Sequence, residues 1–375
     1  MSSCTSIICH WGYPFEQHDA ITSDGYILRL IRIPRGRNQT PGKKRPTVLL
    51  QHGLASSCVD WIDNRPDQSL AFILADAGYD VWLGNTRGNS YSIRHTSLNS
   101  TDKKYWDFSW QEMSEHDVDT MVDHILRHSD QTELYYIGHS QGTLIMFAKL
   151  AHGNREFNRK IRAFFALAPV TTVGHITTPL KLLAPFTWEI KTALHLWGDY
   201  SLGDVTWILN YIRPLCLNDT KWIDACVNIV TFFSGPEQRD SLNKSMIPQY
   251  LSQHPDDTSI KNIVHFGQMV TSKRMEMYDY GYVGNLVHYK QLDPPAYDLT
   301  KIDTYTILFY SMADELADIT DVAGMLPKLK NFRAFRFETL THLDFVISIR
   351  ARNLIYSKIV RELRILDGIG DPEED

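Results

Sequence analysis

Short apolar runs alternate with amphipathic segments along the first half of the chain. Unbroken apolar runs are typical of buried strands, and apolar residues at helical spacing predict the helices that cover them. The strands are predicted at 26–33, 47–51, 79–83, 133–137 and 163–168, and the helices at 69–77, 114–126 and 143–150, with Ser114 as a helix cap. This alternation predicts an α/β fold with a mostly parallel, doubly wound sheet and functional groups at the carboxyl ends of the strands.

The alternation stops between residues 175 and 297. This stretch is broken by prolines and has patches of helical periodicity, but it has no series of strand-like runs. The α/β pattern then resumes, with strands predicted at 304–310 and 333–337, a helix at 319–330 and a long closing helix at 345–366. We therefore predict an α/β core in two parts, 1–174 and 298–375, separated by an inserted, mainly helical cap at 175–297.

Composition and charge exclude several classes of protein. The chain has 375 residues, of which 43% are hydrophobic and 22% charged, and its net charge is −6. It has no basic block that would indicate a nucleic-acid partner, and no apolar run long enough to span a membrane. It also lacks H-E-x-x-H, C-x-x-C, His-x-His and the glycine fingerprints of nucleotide-binding loops. We therefore expect no metal and no cofactor.

The segment Gly138-His139-Ser140-Gln141-Gly142 lies between a predicted strand and a predicted helix. Strand, sharp turn and helix are the context of a nucleophile elbow, which exposes the hydroxyl of its central serine. Gly138 and Gly142 leave room where a Cβ would clash, so that Ser140 can occupy a strained turn. Ser140 is therefore the predicted nucleophile.

A serine hydroxyl needs a base within hydrogen-bond reach and an acid that orients the base. In this architecture the chain order is serine, acid, histidine. Asp314 follows a predicted strand by a short loop, where the acid belongs; Asp318 and Asp321 are alternatives, although Asp318 is better placed as a helix cap. His342 is the only histidine after the last predicted strand. The sequence thus predicts a triad of Ser140, Asp314 and His342 that hydrolyses esters through an acyl-enzyme.

The oxyanion of an ester transition state needs two backbone N–H donors. One is expected from Gln141, directly after the nucleophile, and the other from the loop after an earlier strand. The loop His52-Gly53-Leu54 has that place, and Leu54 is the predicted second donor. A tight loop without a catalytic part is the alternative for these residues.

Cysteines and glycosylation motifs bear on the compartment. Five cysteines are too few for a disulfide scaffold; Cys216 and Cys226 are near enough in sequence to close one small loop, and free thiols explain them equally well. Asn99, Asn218 and Asn243 lie in N-glycosylation motifs. The N-terminus has no signal-peptide pattern, so a truncated or mature form of a secretory protein would reconcile these observations.

Nearly the whole chain resembles the acid lipase family, which includes gastric lipase and lysosomal acid lipase. Matching motifs extend from the N-terminal segment to the predicted base. They are Gly12-Tyr13-Pro14, residues 22–28 and 32–34, the loop 50–56, the block 80–89, the elbow 138–143, Leu316-Ala317-Asp318 with Asp321-Val322, and His342-Leu343-Asp344-Phe345.

This resemblance implies an α/β-hydrolase fold and a lipase that hydrolyses triacylglycerols or sterol esters. In the family's pattern Ser140, Asp314 and His342 occupy the triad positions, and Leu54 and Gln141 the oxyanion positions. It also implies transient contact with a lipid surface and a secreted or lysosomal location.

The resemblance further implies a movable lid near residues 205–245 and a disulfide between Cys216 and Cys226. The sequence departs from the family directly before the triad acid, where Ser311-Met312-Ala313 replaces the usual glycines. A different local turn is therefore expected there.

Two other functions are compatible with these residues. One is a carboxylesterase or thioesterase for shorter, soluble acyl substrates, and the other is a lipid-binding protein whose catalytic site has decayed. The intact Ser140, Asp314 and His342 argue against decay. The aromatic residues of the predicted cap are explained either by an acyl tunnel with a lid or by the core of a helical subdomain.

Overall fold

A nine-stranded sheet forms the centre of the computed structural model, which describes residues 3–182, 184–198, 200–205 and 241–370. Within those ranges every helix is too short or too polar to span a lipid bilayer. The strands are β1 (Glu16–Ile21), β2 (Tyr26–Ile33), β3 (Thr47–Gln51), β4 (Asp80–Gly84), β5 (Arg94–His95), β6 (Leu134–His139), β7 (Ile161–Leu167), β8 (Thr306–Ser311) and β9 (Phe332–Phe337).

The strands follow the spatial order β1-β2-β4-β3-β6-β7-β8-β9, with β5 paired to β2. From β4 to β9 all neighbours are parallel, whereas β2 is antiparallel to β1, β4 and β5. Every position of β3, β4 and β6 is buried, which explains the continuous apolar runs within them. The chain leaves β3 for β4 on one side and later returns to β6 on the other. The loops after β3 and β6 therefore meet at a switch point, where α/β proteins form their sites.

Helices connect the strands and fill the inserted stretch. Those of the first part are α1 (Cys4–His10), α2 (Leu70–Asp76), α3 (Trp110–Glu112), α4 (Val118–Ser129), α5 (Gln141–Ala151) and α6 (Arg155–Asn158). The later ones are α7 (Thr187–Trp197), α8 (Leu202–Val205), α9 (Ile247–Gln253), α10 (Ile260–Ser272), α11 (Gly281–Tyr289), α12 (Ile319–Met325), α13 (Asp344–Ile347) and α14 (Ser357–Leu366).

The predicted cap at Ser114 is wrong. The cap is five residues earlier, at Ser109, whose side chain accepts the Gln111 N–H and whose own N–H donates to the Glu112 carboxylate at 2.7 Å. This reciprocal arrangement is a capping box. Ser114 lies inside the π-helical turn Met113–Asp117 that joins α3 to α4.

The long closing helix predicted at 345–366 is also wrong, because it is interrupted. α13 ends at Ile347, and Ser348 adopts an extended conformation with φ −73° and ψ 136°. There the chain forms a bridge to Leu242, and the Ile349 N–H donates to the Ser241 carbonyl at 2.8 Å. Pairing with a segment distant in sequence overrides the local helical periodicity before α14 begins.

One covalent link was not predicted. Cys4 of α1 forms a disulfide with Cys58, shortly after the loop that follows β3. Among the described residues Cys9 is free and exposed. Cys216, Cys226 and Asn218 lie outside the described residues, as does most of the lid predicted at 205–245.

The described part of 175–297 contains helices and isolated bridges, and it contributes no strand to the sheet. Helix α10 contacts the core through Asn262, which is fully buried and whose Oδ1 accepts the Trp110 N–H at 2.8 Å. The boundaries predicted for the inserted cap stay a prediction.

A histidine of the inserted stretch forms ion pairs with two core carboxylates. His254 Nε2 lies 3.5 Å from Asp60 Oδ1 and 3.4 Å from Asp63 Oδ2, and both carboxyl groups are buried. Burial lowers the pKa of His254, but hydrogen bonding to Asp63 and the charges of both carboxylates outweigh it and raise that pKa to about 9. His254 is therefore expected to be charged at neutral pH.

This pair predicts a pH-dependent stability. Because the pKa of His254 is raised in the folded state, its stabilisation is fully present below about pH 6.5, the ordinary histidine value, and is lost as pH rises through about 9. Since the ring is partly exposed, we expect a loss of roughly 1 kcal/mol across that window. The measurement is the free energy of unfolding by urea at pH 6 and pH 9.5, and the difference between the two values is the slope in question. His254→Gln should remove this slope, and the control His10→Gln, at an exposed position, should retain it; equal slopes in both variants would contradict the assignment.

Candidate active site

Ser140 occupies a strained turn between β6 and α5. Its φ of 52° and ψ of −119° lie in a region that residues with a Cβ rarely adopt. A Cβ on Gly138 would lie 2.7 Å from backbone atoms of Gly142, and one on Gly142 would lie 2.4 Å from the Gln51 carbonyl oxygen. Both positions therefore need glycine for the strand and helix to meet this closely, and the turn presents the Ser140 side chain at the end of β6.

The structure brings Ser140, His342 and Asp314 into one hydrogen-bonded chain. Ser140 Oγ lies 2.7 Å from His342 Nε2, and His342 Nδ1 lies 3.0 Å from each carboxylate oxygen of Asp314. An ionised carboxylate can only accept, so Nδ1 carries the proton and Nε2 is left to accept from the serine hydroxyl. The geometry matches a nucleophile, a general base and an orienting acid.

The two alternative acids lie elsewhere. Asp318 caps α12, where its carboxylate accepts the Thr320 N–H at 2.7 Å. Asp321 accepts hydrogen bonds from the backbone N–H and the ring of His175, at 2.9 and 2.8 Å. Of the three candidates, Asp314 is the one whose carboxylate contacts His342.

The Asp314 carboxylate is buried and held by its own loop. Its Oδ1 accepts the N–H groups of Leu316 at 2.9 Å and Ala317 at 2.8 Å. Burial by itself would raise the pKa of Asp314, but electrostatic attraction to His342 and the hydrogen bonds from His342, Ala317 and Leu316 outweigh it and hold that pKa below its ordinary value. Asp314 therefore stays ionised and can stabilise a positive imidazolium.

The turn before Asp314 forms without glycine. Ser311 ends β8, and its Oγ accepts the Ala313 N–H at 3.2 Å. Neither Met312 nor Ala313 has a positive φ. Ordinary residues therefore fit where the acid lipase pattern has glycines, and the departure leaves the Asp314–His342 contact in place.

The loop after β3 passes beside the nucleophile. A Cβ on Gly53 would lie 3.2 Å from Ser140 Cβ, so the backbone comes close to the serine there. Leu54 follows in this loop, and Gln141 is the first residue of α5, whose N–H has no acceptor within the helix. The two predicted oxyanion donors therefore belong to two segments that adjoin Ser140, and the N-terminal dipole of α5 favours negative charge there.

His52 holds this loop and was not predicted to act. Its Nδ1 donates to the Gly53 carbonyl at 2.8 Å, and its Nε2 accepts the Thr86 N–H at 3.2 Å and the Asn89 amide at 3.3 Å. Burial lowers the pKa of His52, so the ring stays neutral and can both donate and accept. These contacts give a structural role to Thr86 and Asn89, which the sequence analysis names only as part of a family motif.

His139 supports the base, a role that the sequence analysis does not assign to it. Its Nε2 donates to the His342 carbonyl oxygen at 3.0 Å. Burial, and then the nearby His342, lower the pKa of His139 to about 4, so it is neutral at the pH of most assays. The residue before the nucleophile thus fixes the backbone of the histidine that contacts Ser140.

The inserted stretch reaches the site through Asn262 of α10. Its Nδ2 donates to Gln141 Oε1 at 2.8 Å, and both side chains are buried. Gln141 Nε2 also contacts Met113 Sδ at 3.5 Å. The side chain after the nucleophile is therefore fixed from two directions. Among the described residues no group of three metal-ligating side chains lies at the triad.

Two of the glycosylation candidates are described. Asn99 is exposed in the loop after β5. Asn243 is partly buried, and its Nδ2, the atom that would carry a glycan, donates to Gln68 Oε1 at 3.1 Å. The structure thus favours Asn99 over Asn243 as an acceptor, and glycosylation stays a prediction.

Comparisons with known proteins place this architecture among hydrolases. Residues 4–65 match the family model described as partial alpha/beta-hydrolase lipase region, and residues 46–192 match the model described as alpha/beta hydrolase fold. Alpha/beta hydrolase GrgF from Penicillium sp. sh18 superimposes with a TM-score of 0.55 at 14% identity, covering 94% of this chain and 98% of that one. The predicted α/β-hydrolase fold is confirmed.

Relatives of higher identity are lipases. The chain is 40% identical to Lipase member K of Mus musculus over 360 residues, which cover 95% of this chain and 89% of that protein. It is 38% identical to Gastric triacylglycerol lipase of Bos taurus over 363 residues, covering 95% and 89%. These similarities extend over nearly the whole chain, including both parts of the core and the stretch between them.

Proposed function

The chain belongs to the acid lipase family and is a carboxylic ester hydrolase, and we propose that Ser140, His342 and Asp314 perform its catalysis. The observation that carries this proposal is the continuous chain from Ser140 Oγ through His342 to the Asp314 carboxylate. Every contact in it lies at hydrogen-bond distance between groups of the required type.

In the proposed acylation step, Ser140 Oγ attacks the ester carbonyl carbon while its proton passes to His342 Nε2. The tetrahedral intermediate collapses when the C–O bond to the leaving alcohol breaks, and His342 returns the proton to that alcohol. Asp314 holds the ring and stabilises the imidazolium throughout. A water then attacks the acyl-enzyme with the same proton transfers, which releases the fatty acid and restores Ser140.

The oxyanion of both intermediates is proposed to bind the backbone N–H groups of Gln141 and Leu54. The close approach of Gly53 to Ser140 supports this assignment, because Leu54 follows Gly53 in the same loop and is thereby brought near the place of the reacting carbonyl. Fixed donors of this kind act without reorganisation when charge develops, and loss of one typically costs about 2.7–4 kcal/mol of barrier.

The proposed substrates are esters of neutral lipids, either triacylglycerols or sterol esters. Similarity to a gastric triacylglycerol lipase supports this class. An exposed apolar surface supports contact with a lipid interface. It consists of Tyr282, Val283, Leu286 and Val287 on one side of α11, followed by Leu292. Exposed apolar patches of this kind mark interaction surfaces.

If α11 contacts lipid, charge on its apolar side should impair hydrolysis only at an interface. Val283 is 78% exposed. We expect Val283→Asp to lower the rate on emulsified long-chain triglyceride about five- to tenfold, because an apolar side chain that would enter the interface becomes charged. Hydrolysis of a dissolved short-chain ester should be unchanged. Ile369→Asp, at a 60% exposed position after α14, is the matched control and should affect neither substrate. An equal loss on both substrates would contradict the interfacial role of α11.

The substrate class is tested by rates on an emulsified long-chain triglyceride, an emulsified sterol ester and a dissolved short-chain ester. Faster cleavage of either emulsified lipid supports the lipase proposal, and the preferred one names the subclass. Activity restricted to the dissolved ester would replace it with the esterase alternative. Failure of a covalent serine probe to label the protein, with no ester hydrolysed, would indicate a decayed site.

We propose that the protein functions outside the cytosol, either secreted or in the lysosome. The Cys4–Cys58 disulfide supports an oxidising compartment, and the similarity to a gastric lipase agrees with it. If the protein enters the secretory pathway, Asn99 should carry a glycan, and glycosidase treatment should increase the mobility of the expressed protein on a gel. Recovery of the untagged protein in the cytosolic fraction would contradict the proposed location.

A further inference from the structure

Three histidines converge at the edge of the sheet formed by β1. His18 belongs to β1, and His124 and His128 lie one turn apart on α4. One nitrogen of each ring lies within 4.8 Å of the others. In the sheet order β1-β2-β4-β3-β6, His18 is four strands away from the strand that carries the elbow, which is about 19 Å at the usual strand spacing.

Hydrogen bonds leave a ligand nitrogen available on each ring. His128 Nδ1 donates to the His124 carbonyl at 2.8 Å, so its Nε2 retains a free lone pair. His18 Nε2 lies 3.1 Å from Glu16 Oε2. This contact occupies one ring nitrogen and leaves Nδ1 available to a metal ion. Backbone carbonyl and carboxylate partners of this kind commonly orient the histidines that bind metals.

His124 adds an unexplained polar atom. Its Nε2 is buried and has no hydrogen-bond partner among the residues that the structure describes. Such an atom in a folded protein calls for a water, an ion or another partner. The ring stacks on His128 with 4.0 Å between centroids, and His18 packs edge-on at 5.3 Å from His124. Trp82 lies beneath His18 at 4.7 Å and closes the inner side of the group.

The charges around the group are compatible with a bound cation. Arg32 reaches Glu16 Oε2 at 3.0 Å, but its guanidinium is also paired with Asp80, at 2.8 and 3.0 Å. Glu16 therefore remains near His18 as a carboxylate that can offset metal charge. Asp19, on the same strand, is already paired with Arg29 at 2.7 Å and with Arg94 at 2.6 Å, and Arg127 adds a positive charge near His124.

We propose that His18, His124 and His128 bind one divalent transition-metal ion, for which Zn²⁺ is the best match. Three neutral imidazoles suit Zn²⁺, and a water can complete a tetrahedral site. Zn–N distances of about 2.0–2.1 Å require the nitrogens to approach to about 3.3 Å, which side-chain rotation of the exposed His128 and the partly buried His18 can supply. The ion would tie the edge strand β1 to α4.

Sequence motifs predicted no metal, and the reason is clear from the fold. His124 and His128 have the i, i+4 spacing of two ligands on one helical face. Their third partner, His18, comes from a strand more than a hundred residues earlier, and β1 was not predicted. This site is independent of the proposed ester hydrolysis.

The test is Zn²⁺ binding by the full, tag-free chain after removal of metal with a chelator. Competition with a chromophoric chelator should show one Zn²⁺ per chain. His128→Gln and His18→Gln should each weaken binding by at least about tenfold, since loss of a group that merely orients a ligand already costs about 10–100-fold. His10→Gln, an exposed histidine of α1, is the matched control and should bind like the unmodified protein. Binding that is absent, or equal in all variants, would overturn the proposal.

A second measurement separates this site from metal bound at the triad. Saturating Zn²⁺ should raise the unfolding midpoint by about 2–5 °C in the unmodified protein and not in His128→Gln. The rate on a dissolved short-chain ester should stay within about twofold, since the site is remote. Inhibition by Zn²⁺ that persists in His128→Gln, without a midpoint shift, would place the metal at the triad and overturn the proposal.

Discussion

Ser140→Ala is expected to lower kcat for ester hydrolysis by about 10⁵- to 10⁶-fold, because His342 and Asp314 have no covalent nucleophile to activate without the serine hydroxyl. The substitution keeps the Cβ that Ser140 already accommodates at its positive φ, and it removes only the 2.7 Å contact with His342 Nε2. The fold should therefore be retained. The measurement is kcat on a dissolved short-chain ester and on emulsified triglyceride, with the unfolding midpoint determined for the same preparations.

A covalent serine probe makes this prediction specific to the residue. The unmodified protein should be labelled once per chain, and Ser140→Ala should not be labelled. Ser97→Ala, at an exposed position between β5 and α3, is the matched control and should retain both labelling and activity. Residual activity above about 1% in a folded Ser140→Ala variant would mean that another group is the nucleophile.

Much of the core could be predicted because its signals are local. β2 and β3 lie where their apolar runs predicted, and the elbow is encoded by two glycines within five residues. The edge strand β1 was missed because its sequence is mostly polar and four of its six residues are exposed. An edge strand that is open to solvent does not produce the apolar run on which the prediction depended.

The supporting residues of the site could not be predicted, because their partners are distant in the chain. His139 donates to a carbonyl 203 residues away, and Asn262 donates to a side chain 121 residues away. The order of serine, acid and histidine indicates three roles but not what holds each of them. The Cys4–Cys58 disulfide illustrates the same limit, because five cysteines do not specify their pairing.

Asp314→Asn should lower kcat by about 10⁴-fold at neutral pH while leaving the protein folded. The asparagine Oδ1 can still accept the N–H groups of Leu316 and Ala317, so the loop keeps its hydrogen bonds. Its Nδ2, however, donates to His342 Nδ1 and moves the ring proton to Nε2. That proton then faces Ser140 Oγ, and the ring can no longer accept from the hydroxyl. Measurements of kcat and of the rate of serine-probe labelling should fall together.

Asp318→Asn is the matched control for this change, because it has the same chemistry four residues later. Asp318 caps α12 and does not contact His342, and asparagine caps helices nearly as well as aspartate. Its activity and labelling rate should therefore stay within about twofold, since a capping change of this kind leaves the triad geometry unaltered. A large loss of activity in Asp318→Asn with little loss in Asp314→Asn would contradict the proposal and identify Asp318 as the acid. If only Asp314→Asn is impaired, the result supports the proposal that the buried Asp314 carboxylate controls the tautomer of His342.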